Sequence, residues 1–351
     1  MGINSELWHG KRILVTGHTG FKGAWLVYIL RTLGAQVIGL ALPPPKPMQS
    51  LYSIANVHKH LVSEYFIDIR DEIEVSKVLQ ESLPDYVFHL AAQSFVRRSF
   101  IDPIESFSTN VTGTANIVTS SLSIKSLLGI TVATTDKVYR NDGRNLPFKE
   151  TDMLGNLDPY SASKTAAELV VASLYSSCNP FKIPITTVRA GNVIGGGDWG
   201  EDRLVPDIVG ALTSDREIII RNPTAIRPWQ HVLDCLHGYL LIAQSHLTNQ
   251  FNVPRSVNFG PSYSLSVMEL IHIFEDVFKK QVKFQVKRAS IIESNWLELD
   301  SKLAHDFLGW NTSLVPIKAV EQTAFWYLKY GQGVSAETLI TEEISGYFGK
   351  L

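Results

Sequence analysis

The chain has 351 residues, a length that fits two domains of ordinary size or one large α/β domain. Its hydrophobic content of 45% and ordinary glycine and proline counts exclude disordered and collagen-like chains. Because 32 lysines and arginines face 34 aspartates and glutamates, the net charge is −2, which argues against a general nucleic-acid binder.

The first half of the chain alternates short β-branched runs with longer segments of helical period. This alternation predicts βαβ units and therefore an α/β fold with a doubly wound parallel sheet of the Rossmann type. The predicted strands are Arg12–Thr16, Gln36–Leu42, Val62–Ile67, Tyr86–Ala91, Gly129–Thr134 and Ile185–Ala190. The predicted helices are Lys22–Leu33, Asp71–Ser82, Ile104–Ser123 and Tyr160–Ser177.

The composition changes after about Asn192, where a glycine-rich stretch precedes segments rich in proline, arginine and tryptophan. We predict a cofactor-binding domain over residues 1–191 and a smaller ligand-binding lobe that covers most of residues 192–351. Residues 225–262 are expected to return in part to the main sheet, because Val257–Gly260 has the pattern of a further strand.

Targeting and membrane signals are missing from the sequence. No run approaches the ~18–20 apolar residues that a membrane span needs, and the first residues lack the apolar region of a signal peptide. We therefore expect a cytoplasmic protein without a membrane partner. Cys178 and Cys235 lie far apart without metal-ligand spacing, so we expect both to be small core residues and predict no metal site.

The strongest local motif, Val15–Gly23, lies directly between the first predicted strand and helix. Gly17 permits a tight turn, Gly20 lets the backbone approach a pyrophosphate, and Gly23 allows close helix packing. The motif therefore predicts a dinucleotide site at the start of the helix. Its candidate cofactor-binding residues are Gly17, His18, Thr19, Gly20, Phe21, Lys22 and Gly23.

The choice between NAD and NADP is weakly encoded. Strand two ends at Gly39–Pro43 with neither an acid for a ribose 2′-hydroxyl nor an arginine for a 2′-phosphate. The residues of this strand therefore leave both cofactors open.

A tyrosine and a lysine share one face of the helix that follows Pro159. Tyr160 and Lys164 stand at positions i and i+4, and a lysine ammonium beside a phenol favours the phenolate. We therefore expect a lowered pKa for Tyr160, which would let it take a proton from a substrate hydroxyl.

Three further candidates, Thr135, Asp136 and Lys137, follow the fifth predicted strand. Thr135 can hydrogen-bond the hydroxyl that Tyr160 deprotonates. Asp136 and Lys137 add an acid/base pair at the carboxyl edge of the sheet, where open α/β folds bind ligands. Because a simple reductase does not need this pair, it indicates a further reaction step.

Isolated arginines lie near glycines and aromatic residues in the second half of the chain. Arg203, Arg221 and Arg227 suit a phosphorylated, ring-containing ligand, since arginine offers bidentate phosphate contacts and a stacking plane. His231, four residues after Arg227, is predicted to be a packed core histidine.

From Trp8 to about Lys329 the chain resembles the extended short-chain dehydrogenases/reductases that act on nucleotide sugars, and among them the CDP-glucose 4,6-dehydratases. The dTDP-glucose dehydratases carry Asp-Glu where this chain has Asp136-Lys137. The matching segments are TGHTGFKGAWL, LALPPP, HLAAQSFVRRSF, TNVTGT, TTDKVY, DPYSASKTAAELV, RAGNVIGGGDWGEDRLVPDI, IRNPTAIRPWQHVLD and LELDSKLAHDFLGW.

The resemblance implies conversion of CDP-D-glucose to CDP-4-keto-6-deoxyglucose and water, with NAD carrying a hydride from carbon 4 to carbon 6. Tyr160, supported by Lys164 and Thr135, would remove the carbon 4 hydroxyl proton. Lys137 would remove the carbon 5 proton, and Asp136 would protonate the departing carbon 6 hydroxyl.

The resemblance also implies binding residues and an assembly. A homodimer through a four-helix bundle would use the helices Ile104–Ser123 and Tyr160–Ser177. The implied NAD contacts, besides the glycine motif, are Asp68, Ile69, Leu90, Ala91, Ala92, Gln93, Asn110, Tyr160 and Lys164. The implied substrate contacts are Asn192, Arg203, Leu204, Arg221 and Arg227.

Other functions stay open at this point. A nucleotide-sugar 4-epimerase or reductase would use Tyr160 and Lys164 but would not require Asp136 and Lys137. A dehydratase acting on another nucleotide-linked hexose would use all four residues. A protein that senses NAD(P) without turnover would need neither pair.

Overall fold

The computed structural model describes residues 2–44, 49–143, 146–214, 216–250, 252–287 and 297–349. Its strands are β1 (Arg12–Thr16), β2 (Gln36–Ala41), β3 (Ser63–Phe66), β4 (Tyr86–His89), β5 (Ile130–Ala133), β6 (Ile185–Ala190), β7 (Val193–Ile194), β8 (Ile218–Ile220), β9 (Ile226–Arg227), β10 (Gln230–His231), β11 (Ser256–Phe259), β12 (Leu265–Ser266) and β13 (Phe284–Val286).

The helices surround these strands and alternate with them along the first half of the chain. They are α1 (Phe21–Thr32), α2 (Leu51–Ile54), α3 (Glu72–Ser82), α4 (Val96–Ile101), α5 (Pro103–Phe107), α6 (Gly113–Leu122), α7 (Pro159–Ser177), α8 (Leu204–Ser214), α9 (Val232–Leu247), α10 (Val267–Phe278), α11 (Lys302–Leu308), α12 (Pro316–Gly331) and α13 (Ala336–Phe348). Short 3₁₀ turns cover Ser5–Leu7, Val57–His60 and Asp136–Val138.

Seven parallel strands form the central sheet in the order β3-β2-β1-β4-β5-β6-β11. Helices cover both faces, which is why β4 and β5 consist entirely of buried residues. The strand order reverses between β1 and β4, and a ligand crevice opens outside the carboxyl ends of the strands at such a point. The predicted doubly wound sheet is confirmed.

The core extends from the sheet into the C-terminal helices. Trp25 of α1, Phe274 of α10, Trp326 of α12 and Ile340 of α13 all belong to one cluster of buried apolar side chains. β11 lies beside β6, so part of the second half of the chain is built into the main sheet. The central sheet and the C-terminal helices therefore share a continuous core.

Two elements differ from the sequence prediction by more than one residue at an end, each for a local reason. The predicted helix Ile104–Ser123 is split into α5 and α6 by a π-helical turn at Ser108–Thr112. Strand β4 ends at His89: the N–H of Leu90 donates to both the carbonyl oxygen and the hydroxyl of Thr16, and the N–H of Ala91 donates to the hydroxyl alone.

The two cysteines have different surroundings. Cys235 is buried in α9 as expected, but Cys178 is exposed, because it lies at the C-terminal cap of α7. His231 is fully buried, as predicted for a core histidine. Within the described ranges, no helix is both long and apolar enough to cross a bilayer.

Candidate active site

Three glycines shape the turn between β1 and α1. Gly17 adopts a φ of +76°, and a Cβ there would lie 2.8 Å from the backbone nitrogen of Ala91. A Cβ on Gly23 would lie 2.1 Å from the carbonyl oxygen of Gly17. Gly20 is the N-terminal cap residue of α1, and no described side chain caps the free N–H groups of the helix. The turn therefore offers N–H groups and the positive end of a helix dipole, a cradle that fits a pyrophosphate.

The side chain of His18 packs beneath this turn. Its Nε2 lies 2.7 Å from Oε1 of Glu64, and its ring fills the space that a Cβ on Gly39 would need. Burial lowers the pKa of His18, and the Glu64 carboxylate opposes that shift. Thr19 donates a hydrogen bond to the carbonyl oxygen of Leu42, at 3.0 Å. These contacts tie the loop to the ends of β2 and β3.

A buried hydroxyl organises the loop after β4. The Thr16 hydroxyl accepts hydrogen bonds from the N–H groups of Leu90 and Ala91, both at 3.1 Å, and donates to Nδ1 of His89 at 2.7 Å. The other ring nitrogen of His89 then donates to Thr114 at 3.0 Å. Burial lowers the pKa of His89 to about 3, so the ring is neutral. This network was not predicted from the sequence, although polar residues inside apolar strands are its signal.

Asn110 connects the loop after β4 to α7. Its Oδ1 accepts from the N–H of Gln93 at 2.8 Å, and its Nδ2 donates to the Gln93 carbonyl at 3.0 Å and to the Ser163 hydroxyl at 2.9 Å. Ala92 precedes Gln93 in the same loop. The π-helical turn places Asn110 here, so the candidate cofactor residues of this loop lie against the helix that bears Tyr160.

Asp68 and Ile69 follow β3 at the far side of the crevice. The Arg70 guanidinium lies 2.6 Å from the Asp68 carboxylate and holds the pKa of that carboxyl below its usual range. Ile69 is buried and packs against Gly113, where a Cβ would lie 2.5 Å from its side chain. Asp68 is thus ion-paired in the structure, and Ile69 borders the start of α6.

Helix α7 places Tyr160 and Lys164 on one buried face. The Asp158 side chain caps the helix by accepting from the N–H of Ser161 at 2.9 Å. One turn after Tyr160, the Lys164 ammonium donates to the carbonyl oxygen of Ala133 at 2.9 Å. The pair is therefore fixed at the carboxyl end of β5.

The protonation of this pair differs from the sequence expectation. Burial raises the pKa of Tyr160 to about 12, and a hydrogen bond with Thr135 opposes the shift. Burial also lowers the pKa of Lys164 to about 8, with Lys22 lowering it further. The expected lowering of the Tyr160 pKa was wrong, because desolvation of the phenol outweighs the neighbouring charges and the Lys164 ammonium is bonded to a backbone carbonyl.

Thr135, Asp136 and Lys137 form a short turn beside Tyr160. The Thr135 hydroxyl donates to Oδ1 of Asp136 at 2.9 Å and accepts from the N–H of Lys137 at 3.3 Å. Asp136 is only 2% exposed, and its Oδ2 has no hydrogen-bond partner among the described residues. Burial raises the pKa of Asp136, although Lys137 and Arg227 oppose the shift. A carboxyl in this environment holds its proton better than an ordinary aspartate and can act as an acid.

Arg203 faces the tyrosine from the second half of the chain. Its NH1 lies 2.7 Å from Oδ2 of Asp198, and its guanidinium lies 5.5 Å from the ring centroid of Phe95. The Asp198 carboxylate raises the pKa of Arg203, and the Arg203 charge in turn favours the ionised form of Tyr160. Asp198 was not predicted from the sequence, where its signal is an acid five residues before the arginine.

The other candidate substrate residues have separate partners in the structure. Arg227 interacts electrostatically with Asp136, whereas Arg221 lies 3.7 Å from the carboxylate of Asp202. The carbonyl oxygen of Asn192 accepts from the N–H of Gln230 at 3.0 Å. Leu204 is the first residue of α8. The structure therefore brings Arg203 and Arg227 to the reactive residues, while Arg221 pairs with an acid of the 198–203 loop.

Asp202 is shared by two arginines. It adopts a φ of +58° and contacts Arg97 of α4 as well as Arg221. Arg97 was absent from the sequence-based site, and only tertiary structure reveals the pairing. Across the described residues, no three His, Cys, Asp or Glu side chains converge in a way that could hold a metal ion.

The sequence matches a known family over most of its length. A sequence profile of the family described as GDP-mannose 4,6 dehydratase matches residues 14–322. A CDP-glucose 4,6-dehydratase of Salmonella typhimurium is 37% identical, over 98% of this chain and 98% of that protein. A dTDP-glucose 4,6-dehydratase of Xanthomonas campestris pv. campestris is 26% identical, over 90% of this chain and 92% of that protein.

The fold matches solved structures at lower identity. The UDP-glucose 4-epimerase of Stenotrophomonas maltophila, determined with bound NAD and formylated UDP-arabinopyranose, superposes with a TM-score of 0.79. The match covers 92% of this chain and 100% of that one at 22% identity. A likeness at this identity establishes the shared fold.

Proposed function

The chain belongs to the GDP-mannose 4,6 dehydratase family, and from this premise we propose that it is an NAD-dependent nucleotide-sugar 4,6-dehydratase whose substrate is CDP-D-glucose. We infer the reaction type, dehydration, from the buried Asp136 carboxyl, which lies next to Lys137 and beside Tyr160. An epimerase or reductase needs the tyrosine but has no use for a buried acid at this position. The CDP-glucose substrate is supported by the 37% identity to the Salmonella enzyme.

The glycine turn supports NAD as the cofactor. Cβ atoms on Gly17 and Gly23 would collide with the backbone of the same turn and of Ala91, so the tight turn at the start of α1 requires these glycines, and the similar epimerase structure contains NAD. NAD, when bound, supplies a reversible acceptor for the hydride of carbon 4. Gln93 and Asn110 would fix the loop that borders its nicotinamide end.

Tyr160 begins the reaction by taking the proton of the carbon 4 hydroxyl. Its buried phenol has a pKa of about 12, so it holds its proton strongly and needs positive charge nearby to release it. The Arg203 guanidinium favours the phenolate, which is the form that accepts the proton, while the Lys164 ammonium fixes this face of α7 through its bond to the carbonyl oxygen of Ala133. Thr135 orients the same hydroxyl from the end of β5.

The ketone formed at carbon 4 acidifies the proton at carbon 5. Lys137 removes this proton, and its electron pair forms the double bond to carbon 6 as the carbon 6 hydroxyl departs. Asp136 supplies a proton to the departing hydroxyl, so that one water leaves. The raised pKa of Asp136 keeps that proton available.

The nucleotide diphosphate would be bound by the second part of the chain. We assign Arg203, Arg221 and Arg227 to the nucleotide and its diphosphate, and Asn192 to the sugar-diphosphate side. Leu204 is assigned to the same substrate site. Under this assignment residues 1–191, with part of 225–262, bind NAD, and most of 192–351 binds the nucleotide sugar. The electrostatic contact between Arg227 and Asp136 supports a diphosphate close to the acid.

We also propose a cytoplasmic homodimer. The helices over 104–123 and 160–177 would form the four-helix interface. Two free cysteines suit a reducing compartment. Exposed apolar side chains on and before these helices support the interface: Ile101, Ile104, Phe107 and Leu169.

Mass spectrometry of reaction products tests the proposal directly. Purified protein is incubated with NAD and, separately, with CDP-, dTDP-, GDP- and UDP-glucose. We expect loss of one water from the CDP sugar alone, and no loss with Lys137→Met. Water loss from a different nucleotide sugar would correct the substrate, whereas an isomer of unchanged mass would establish an epimerase and overturn the proposal.

A further inference from the structure

A deeply buried ion pair joins helix α7 to strand β6. Oε1 of Glu168 accepts from Nε of Arg189 at 2.8 Å, and Oε2 of the same carboxylate contacts NH2. The two side chains are only 4% and 3% exposed. Apolar residues of similar volume often stabilise a fold as well as a buried ion pair does, so stability alone does not account for charges at this depth.

The carboxylate of Glu168 holds the strand end that precedes the reactive turn. Its Oε1 also accepts from the Thr134 hydroxyl at 2.7 Å. On the same helix, the Thr165 hydroxyl donates to the carbonyl oxygen of Val138 at 3.1 Å. Helix α7 is therefore hydrogen-bonded to both ends of the segment 134–138, and Asp136 lies between the two contacts.

The guanidinium of Arg189 holds the segment just after the reactive turn. Its NH1 donates to the Tyr139 hydroxyl at 2.7 Å, which in turn donates to Oδ1 of Asn258 at 2.7 Å. The guanidinium carbon also lies 5.0 Å from the Tyr139 ring centroid. NH1 donates as well to the carbonyl oxygen of Glu150, at 3.3 Å. Arg189 thus fixes the chain two residues beyond Lys137.

We propose that Glu168 and Arg189 are positioning residues, which hold the Tyr160 pair on α7 and the Asp136 pair after β5 in one common geometry. The inference rests on the proposed function, because it assigns successive proton transfers to the two pairs. Proton transfer requires hydrogen-bond reach, so a small displacement of either pair slows its step. Since one network touches both segments, its loss slows both steps.

The same carboxylate acts electrostatically on the lysine one turn earlier. Burial lowers the pKa of Lys164 to about 8, Lys22 of α1 lowers it further, and Glu168 opposes both effects. The neutral His89 of β4 also faces this ammonium. Removing the Glu168 carboxylate therefore lowers the pKa of Lys164, and the alkaline limb of the turnover profile should move to lower pH.

The double variant Glu168→Leu/Arg189→Met tests positioning without leaving a buried charge unpaired. The Thr134 and Thr187 hydroxyls, which also contact Glu168, keep backbone carbonyl acceptors at 3.4 and 3.3 Å. The variant is therefore expected to fold with a melting temperature close to that of the wild-type protein. A matched control, Lys318→Met/Glu321→Leu, removes an exposed pair of α12.

Three measurements separate positioning from a merely structural role. For the folded double variant we expect kcat on CDP-glucose to fall about 100-fold with little change in KM. Deuterium exchange at carbon 5 of the 4-keto-6-deoxy product, which requires Lys137 and not Tyr160, should slow as well. The alkaline limb should move to lower pH in Glu168→Gln and stay in place in Glu168→Asp, which keeps the charge.

The outcomes are distinct. A folded double variant with wild-type kcat and wild-type exchange overturns the positioning proposal. The positioning proposal is also overturned if the activity per folded molecule of every variant equals that of the wild-type protein. If the wild-type protein removes water from no sugar nucleotide, the proposed function fails and the positioning proposal fails with it. The exposed control pair should behave as wild type in every assay.

Discussion

Lys164 donates a hydrogen bond to the carbonyl oxygen of Ala133, the last residue of β5. Because the acceptor belongs to the backbone, the contact does not depend on the side chain at that position. It fixes the ammonium two residues before Thr135, the residue that hydrogen-bonds Tyr160. The orientation of the tyrosine is thus set by the sheet and not by a flexible loop.

Tyr160→Phe should remove the proton acceptor while keeping the ring. We expect kcat for dehydration to fall by roughly 10²–10⁴-fold, the usual contribution of a general base, with CDP binding unchanged. Initial rates and titration calorimetry with CDP check this. Tyr175→Phe is the matched control on the same helix, where the ring packs against Arg255 and should not affect turnover. Full activity in Tyr160→Phe would remove this residue from the mechanism.

Gly23→Ala should damage the cofactor turn. The added methyl group would lie 2.1 Å from the carbonyl oxygen of Gly17 and 2.7 Å from the Cα of His18, both backbone atoms. We expect a loss of about 1–3 kcal/mol in the free energy of unfolding, together with loss of the rise in melting temperature that NAD causes. Thermal unfolding with and without NAD measures both effects.

A second glycine provides the control for that variant. Gly331 ends α12, and a Cβ there would meet nothing within 4 Å. Gly331→Ala should therefore keep or slightly raise the melting temperature, since alanine favours the helix. If both alanine variants responded to NAD as the wild-type protein does, the close approach at Gly23 would not matter for the cofactor.

The sequence predicted the backbone geometry at two of the candidate segments, while the roles of their residues stay predictions. The turn at Gly17–Gly23 depends on the backbone conformation of its glycines and on the close approach of neighbouring backbone segments to them. A short motif between a strand and a helix is therefore sufficient to identify it. The same is true of Tyr160 and Lys164, whose spacing on one helix face follows from helical period. The family resemblance is confirmed by the match over residues 14–322.

Features that depend on burial or distant contacts could not be predicted in this way. The pKa of Tyr160 rises because the phenol is desolvated, and spacing along a helix contains no information about desolvation. The pairing of Arg97 with Asp202, 105 residues apart, requires the folded chain. Likewise, the pattern of apolar and polar residues along β6 does not identify Arg189 as the partner of Glu168.

Asp136→Asn should separate oxidation from elimination. The amide keeps the size of the buried side chain but cannot supply the proton that the departing hydroxyl needs. We expect water loss to fall by roughly 10²–10⁴-fold, while deuterium exchange at carbon 5, which requires Lys137, continues. Mass spectrometry follows both. Lys137→Met should abolish both the exchange and the water loss, and normal water loss in Asp136→Asn would reassign the acid.

Glu343 and His231 form a buried pair that should set the pH dependence of stability. Nε2 of His231 lies 3.5 Å from Oε2 of Glu343, and Nδ1 accepts from the N–H of Leu233, so Nε2 carries the ring proton. Burial raises the pKa of Glu343 from 4.5 to about 8 and lowers the pKa of His231 from 6.5 to about 3.

These two shifts act on stability in opposite directions. The raised pKa of Glu343 gives stability that is complete below pH 4.5 and is lost as the pH rises toward 8. The lowered pKa of His231 gives stability that is complete above pH 6.5 and is lost as the pH falls toward 3. Between pH 4.5 and 6.5 the two slopes cancel, so the pair predicts a plateau with a decline on each side.

Glu343→Gln should remove the alkaline decline, because the amide does not ionise. From about pH 6.5 to about pH 8, the wild-type protein should lose on the order of 2 kcal/mol more in the free energy of unfolding than the variant does. Urea unfolding at these two pH values measures the difference. Glu342→Gln, the exposed neighbour on α13, should retain the wild-type decline, since its carboxylate lies in solvent 3.9 Å from Lys329. An identical decline in Glu343→Gln would show that the carboxyl is ionised in the folded protein at neutral pH.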